Sequence, residues 1–195
     1  MAIALSLPLL LALLAFVSSC EVSDDEVIPE SEMMASGKAE HYVGIWKVDG
    51  ADVMEATLSF YPSGFAFDRM PVVYILEKVW PEKHFELKDG SGYMVPYENM
   101  ASTSQNNIYK IGITSLDFKV VSDGKDMLAK IYVANSNDFN SFPWASYSKL
   151  TGTFSIMMNL ADCKLSVEQD EGGKTSTEVR SAKMEIKFIS REKTE

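Results

Sequence analysis

The chain has 195 residues, of which 46% are hydrophobic, and its formal net charge is −10 at pH 7. We do not expect nucleic acid as a partner, because binding phosphates requires a basic face. The acidity is concentrated in residues 21–40, where seven acidic residues outnumber one base, Lys38, for a net charge of −6. The rest of the chain has the remaining −4 and is therefore close to balanced.

An apolar run, Leu5 to Val17, is followed by Ser18, Ser19 and Cys20 and then by the acidic sequence SDDE at residues 23–26. The run has the length of a secretory signal and is too short to cross a bilayer as a helix. This order resembles the signal peptide and lipobox of bacterial lipoproteins. The SDDE sequence is similar to the export tag of surface-exposed lipoproteins in Bacteroidetes.

This resemblance implies that the Cys20 thiol receives a lipid and that the chain is cleaved just before it. The implied location is the outer membrane, with the protein lipid-anchored and exposed at the cell surface. The alternatives are an ordinary cleaved signal with an incidental cysteine, and a plain solvated linker after it. We therefore divide the chain into a signal peptide (1–19), a lipidated acidic linker (20–40) and a single β-rich domain (41–195).

Lipidation of Cys20 leaves Cys163 as the one remaining cysteine. We expect no disulfide in the mature chain. Free cysteines usually pack as small apolar residues, so burial is expected for Cys163.

Most of the domain shows the period-two alternation of strands that have one buried and one wet face. The pattern is clearest over residues 54–60, 153–160, 162–168 and 182–188. About nine to eleven short strands predict an all-β fold, either an antiparallel β-sandwich or an open β-barrel. Residues 85–97 are predicted to form a hairpin around Asp89-Gly90. The strand that begins at Ile108 changes phase, which predicts a bulge near residues 114–115.

At most one short helix is expected. Val72, Ile75, Leu76 and Val79 recur at helical spacing over residues 71–80. Pro71 is predicted to occupy the first helical position, and Trp80 followed by proline to end the helix.

The sequence nominates no catalytic or metal site. Its two histidines, His41 and His84, are far apart and lack a zinc-ligand spacing. No nucleophile motif such as G-x-S-x-G is present, and the acidic residues are too many to single out a catalytic pair. We expect neither an enzyme nor a cofactor.

The segment 135–150 is the one candidate ligand-binding region. It joins two strands and contains Phe142, Trp144 and Tyr147 beside Asn137 and Asp138. Aromatic rings offer sugars a flat apolar face, amide and carboxylate groups can bind their hydroxyls, and long loops often bind ligands. The alternative is that the aromatic residues fold back as a lid over one end of the core.

Gly44-Ile45-Trp46 resembles the G-x-W signature of lipocalin-like barrels, in which the tryptophan closes the barrel floor. Arg191 would then pack over Trp46. We consider three functions: a non-catalytic module that binds glycan or another nutrient, a lipocalin-like carrier of a small apolar ligand, and a structural component of an envelope complex.

Overall fold

The computed structural model describes residues 40–61, 63–103, 108–134, 142–148, 150–167 and 176–194. Cys20, the predicted signal peptide and the acidic linker up to residue 39 lie outside this part of the chain. The described residues form thirteen strands, one α-helix and a 3-10 helix, Tyr97–Asn99. The strands and the helix are β1 (Glu40–Val48), β2 (Ala51–Tyr61), β3 (Gly64–Phe67), α1 (Val72–Val79), β4 (Glu86–Leu87), β5 (Tyr93–Pro96), β6 (Met100–Ser102), β7 (Ile108–Ile111), β8 (Ser115–Ser122), β9 (Lys125–Val133), β10 (Trp144–Ser148), β11 (Thr153–Val167), β12 (Thr177–Ser181) and β13 (Glu185–Thr194).

The strands form one antiparallel sheet that curls into a half-barrel, which confirms the predicted all-β class. The main path through the sheet is β4-β8-β9-β11-β13-β1-β2-β3-β5. β10 pairs with β11 and β7, β12 with β11, and β6 with β7. The first strand thus lies beside the last, and the order is not that of a simple meander. This order departs from the up-and-down order of a lipocalin barrel.

A crease crosses the sheet at a line where the regular pairing of several neighbouring strands is interrupted. β11 pairs with β10 and β13 along its first half and with β9 and β12 along its second, with an irregularity between Leu160 and Cys163. Residues 112–114 separate β7 from β8 at the same level, and residues 182–184 separate β12 from β13. Backbone hydrogen bonds continue across the break, for example from Leu160 N to Met184 O at 2.7 Å. Such aligned irregularities bend a sheet without leaving its backbone unpaired.

The phase change predicted near residues 114–115 is part of this crease. The structure has a break between two strands there rather than a bulge within one. Val133 N donates to Thr114 O at 3.0 Å, so the interrupted strand remains attached to its neighbour.

Helix α1 occupies the predicted position and buries Val72, Ile75 and Leu76. Pro71 lies one residue before the first helical position, as the N-cap, so that detail of the prediction was wrong. Proline is accommodated there because a helix N-terminus does not need its missing N–H.

Asp49, in the tight turn between β1 and β2, attaches the helix to the sheet. Its Oδ2 lies 2.5 Å from Lys78 Nζ of α1, and its Oδ1 accepts a hydrogen bond from Glu185 N at 3.0 Å. The Lys78 ammonium lowers the pKa of Asp49 below its usual value. One side chain thereby joins the turn, the helix and the start of β13.

The predicted hairpin at residues 85–97 is absent. β4 pairs with β8 and β5 pairs with β3, so the two segments are not partners. Asp49-Gly50 and Asp123-Gly124 have positive φ at both residues and form two-residue hairpin turns, but Gly90 has no positive φ. The dipeptide Asp89-Gly90 therefore does not adopt the conformation on which the prediction depended.

A cluster of aromatic side chains fills the concave side of the sheet near β1, β2 and β11. Trp46 is fully buried, with ring centroids 4.6 Å from Phe67 and 5.4 Å from Phe188. Its indole N–H donates to Arg69 O at 2.9 Å. Phe154 continues the cluster, with its ring centroid 4.5 Å from that of Tyr42. This part of the interior is packed with rings.

The G-x-W sequence has a local explanation in this packing. A Cβ on Gly44 would lie 2.5 Å from Ile189 O and closer still to the ring of Phe188. Glycine is therefore required for Phe188 to lie against β1 beside Trp46. The prediction that Arg191 packs over Trp46 was wrong. Arg191 lies within β13, is exposed, and its guanidinium contacts Glu55 at 3.1 Å.

Candidate functional site

The segment predicted to bind a ligand is only partly described by the structure. Asn137 and Asp138 lie outside the described residues. Trp144 and Tyr147 belong to strand β10 rather than to a loop, and Phe142 lies just before it. Because successive side chains of a strand point to opposite faces, residues 144 and 147 are on different sides of the sheet.

Tyr147 faces the interior. It is partly buried against the core, and its ring centroid lies 4.6 Å from that of Phe154. The ring centroid of Phe154 in turn lies 4.5 Å from that of Phe60. This placement agrees with the alternative in which the aromatic residues cover one end of the core.

Trp144 faces outward, in a cross-strand row that we call the Trp144 row. Its members are in register on adjacent strands: Lys110 on β7, Trp144 on β10, Met157 on β11, Lys187 on β13 and Lys47 on β1. Each of the five is partly exposed. Five neighbouring strands span about 19 Å, from a strand spacing of about 4.8 Å.

The adjacent row, on the opposite face, is the core. Ala145, Ile156, Phe188 and Trp46 are in register on β10, β11, β13 and β1, and all four are buried. The contrast between these two rows fixes the Trp144 row on the outer face of the sheet.

Lysine side chains lie close to the aromatic rings of the outer face. Lys187 Nζ is 5.8 Å from the ring centroid of Trp144, and Lys110 Nζ is 5.3 Å from that of Phe142. Phe142 is 6% exposed and therefore supports Lys110 from below rather than presenting a free ring. Ammonium groups are attracted to aromatic faces over such distances.

Lys47 and Lys187 differ in their anionic neighbours. Lys47 forms an ion pair with Asp52 at 2.6 Å. Lys187 is in no ion pair with any residue that the structure describes. The row is thus a cationic strip on a chain whose net charge is −10.

The exposed part of Trp144 is hydrocarbon, because its indole nitrogen Nε1 is buried. A half-buried ring of this kind gives a flat apolar surface that is held in place by its neighbours. Lysine ammonium groups beside it supply hydrogen-bond donors and positive charge. Chemically, the arrangement suits a ligand that has an apolar face and oxygen-rich edges.

Sequence reasoning identified Trp144 but missed the three lysines. Each lysine stands at an outward position of an alternating strand, where lysine is an ordinary surface residue. Their assembly around Trp144 depends on pairing between strands that are far apart along the chain, such as β1 and β13, which bring Lys47 and Lys187 into register. No local sequence pattern indicates that pairing.

A second charged cluster is structural. The guanidinium carbon of Arg180, on β12, lies 5.5 Å from the ring centroid of Trp80. Its Nη2 is 2.5 Å from Glu82 Oε1 and 2.7 Å from Glu178 Oε1. Arg180 also donates to Val79 O, the last residue of α1, at 3.2 Å. The Arg180 guanidinium lowers the pKa of Glu82. The cluster therefore fastens the C-terminal end of the helix to the sheet.

The two histidines have separate partners among the described residues. His41 Nδ1 is 2.8 Å from Ser59 Oγ, and His84 Nδ1 is 2.7 Å from Glu77 Oε1. Within the described ranges, no three His, Cys, Asp or Glu side chains are grouped so that they could hold a metal ion.

Cys163 is a buried free thiol. Burial, with a smaller contribution from Asp162, raises its pKa to about 12. A thiol this hard to ionise is a poor nucleophile, because the thiolate is the reactive form.

Comparison with protein-family models, with curated proteins and with solved structures finds no significant match to this chain. Among the residues described, α1 has eight residues, and no helix reaches the length and apolarity required to cross a membrane.

Proposed function

We propose that this chain is a lipid-anchored surface protein whose β-rich domain binds a glycan without catalysis. The anchor is Cys20, following the apolar run and preceding the SDDE sequence at residues 23–26. The proposed location is the outer leaflet of the outer membrane. The proposed binding surface is the Trp144 row.

The observation that supports binding at this surface is the position of Trp144. A tryptophan that faces outward from the middle of a sheet, with lysines in register on both sides, is not required for the core. Core packing on this strand is provided by Ala145 and Tyr147 on the other face. Sugars stack on such rings, and the lysine side chains provide donors for their oxygens.

A carrier of a small apolar ligand is the weaker candidate. Such a carrier needs an internal cavity, whereas the rings of Trp46, Phe67, Phe154 and Phe188 fill the interior beside β1 and β13. No contact among the described residues favours an envelope-assembly role over ligand binding.

The binding proposal is tested by applying the full chain, purified in detergent, to a glycan array. The matched control for Trp144→Ala is Tyr132→Ala, which removes an exposed outward ring from β9. We expect binding that Trp144→Ala abolishes and Tyr132→Ala retains. The absence of any glycan bound, or equal binding by the two variants, would contradict the proposal.

The anchoring proposal is tested separately by growing cells with a clickable fatty acid. We expect the native chain to be labelled and to remain with the membrane fraction. The Cys20→Ala chain should not be labelled and should not remain with the membrane fraction. Cys163→Ala is the matched control and should be labelled like the native chain. A labelled Cys20→Ala chain would contradict lipidation at this residue.

A further inference from the structure

We infer that the glycan bound at the Trp144 row is acidic, so that its carboxylate or sulfate groups contact Lys187 and Lys110. This inference rests on the proposed function and adds to it the chemical class of the ligand.

The lysines lie on both sides of the ring. Lys110 is directly opposite Trp144 on β7, and Lys187 is two strands away on the other side, next to Met157. A saccharide stacked on the indole and extending along the row would place its substituents near both ammonium groups. A neutral sugar would use only their hydrogen-bond donors, whereas an anionic one would also gain from their charge.

The Lys187 ammonium is held by the ring rather than by a carboxylate. Its Nζ lies 5.8 Å from the Trp144 ring centroid, and none of the ion pairs formed by the described residues includes it. A cation–π contact at an exposed site is weaker than a charge-assisted hydrogen bond to a carboxylate or sulfate. An arriving anion can therefore attract Lys187 at little cost and replace that contact with a stronger one.

The charge of the row contrasts with that of the chain. A protein of net charge −10 repels anions in general, so a local cationic strip determines where an anion can bind. Lys47 extends the strip by one more strand, although Asp52 at 2.6 Å offsets its charge. The strongest anion contact is therefore expected at Lys187.

An anionic membrane surface is less suited to this row than a saccharide. Insertion between lipid head groups requires apolar side chains that protrude, and Trp144 is half-buried with its nitrogen covered. The large apolar side chains that are well exposed, among the residues described, lie elsewhere, at Tyr61, Tyr74, Met94, Tyr132, Leu150 and Val179. The row has the shape of a stacking surface.

The test uses the full chain in detergent and three oligosaccharides with one backbone and length: neutral, uronate-containing and sulfated. Binding is measured by titration calorimetry for the native chain, Lys187→Gln and Lys110→Gln. Lys119→Gln, an exposed lysine on the outer face of β8, is the matched control. The uronate and sulfate arms distinguish the two sources of negative charge.

We expect at least one acidic oligosaccharide to bind about tenfold more tightly than the neutral one. Lys187→Gln and Lys110→Gln should each weaken that binding by about tenfold and leave neutral binding unchanged. Raising the salt concentration to about 0.5 M should reduce the preference, because exposed charges are screened. Lys119→Gln should behave as the native chain does.

Two results would overturn the inference and leave the proposed function intact. One is equal affinity for the neutral and acidic ligands with binding still lost in Trp144→Ala. The other is a preference for acidic ligands that Lys187→Gln and Lys110→Gln alter no more than Lys119→Gln does. A third result would overturn both proposals. In it, none of the three oligosaccharides binds, and the unlipidated Cys20→Ala chain binds anionic phospholipid vesicles in a lysine-dependent way.

Discussion

Trp144 and Tyr147 lie three residues apart on one strand and have opposite surroundings. Tyr147 packs on Phe154 within the aromatic core, whereas Trp144 stands in one row with three lysines on the outer face. Both residues are large aromatics in the same polar segment, so their composition does not separate them. The difference comes from strand parity and from the neighbours that the sheet supplies. An aromatic side chain is therefore a binding candidate only once its face is known.

The two faces should respond differently to loss of a tryptophan. Trp46→Ala, on the inner face, removes a fully buried ring and should lower the free energy of unfolding by about 3–5 kcal/mol. Trp144→Ala should lower it by about 1 kcal/mol or less, as is usual for substitutions outside a core. Urea unfolding of the two full-length variants in detergent measures both. Similar losses in both variants would contradict the distinction between the faces.

Burial in the core should also protect the Cys163 thiol from reagents in solution. Burial raises the pKa of Cys163 to about 12 from an ordinary value of 9.0, so its thiolate fraction at neutral pH is lower by about a thousandfold. A disulfide reagent should label Cys163 in the chain unfolded by urea and not in the native chain. Since the unfolded thiol ionises first, this group should reduce stability as the pH rises above about 9. Rapid labelling of the native chain would contradict burial.

Gly44 tests how tightly the inner face is packed. Gly44→Ala places a methyl group against Phe188 and the backbone of Ile189, and should cost about 1–3 kcal/mol of stability. Gly90→Ala is the control, because no atom lies within 4 Å of the position that its new methyl group would take and its φ is not positive. Its effect should stay within about 0.5 kcal/mol. Equal effects would indicate that Phe188 moves away freely.

The smallest effect is expected at the exposed turn that holds α1. The pKa of Asp49 is lowered by Lys78, so its ion pair contributes above the usual carboxyl value of 3.8 and is lost as the pH falls through the lowered value. Asp49→Asn should therefore reduce stability at pH 7 by less than about 1 kcal/mol, since the pair is exposed. The difference from the native chain should disappear in acid. Urea unfolding at both pH values, with the exposed Asp89→Asn as control, decides whether the pair contributes.

The local elements of the fold were predictable because they depend on residues close in sequence. The spacing of Val72, Ile75 and Leu76 predicts α1, and the alternation from Phe154 to Leu160 predicts the first half of β11. The second half has the pattern of a separate strand because the crease reverses the alternation after Leu160. The strand continues through the irregularity since backbone pairing is maintained on both sides.

Pairing between distant segments was not predictable. The Asp89-Gly90 signal suggested a hairpin, but each flanking strand finds its partner elsewhere, because burying Phe85 and Val95 in the shared core outweighs a local turn. The same limit applies to the candidate site. Trp144 could be nominated from its segment, whereas Lys187 could not, since it reaches the ring only through β11 and β13.

The adjacency of β1 and β13 permits a rewiring of the chain. His41 and Thr194 are register partners, so a short linker can join the two ends of the sheet without disturbing a ladder. New termini can then be opened at the exposed Asp123-Gly124 turn between β8 and β9. Such a circular permutant would retain every strand pairing. The proposed anchor would then be attached at the turn between β8 and β9 instead of before β1. It would show whether the proposed glycan binding depends on where the proposed lipid anchor is attached to the domain.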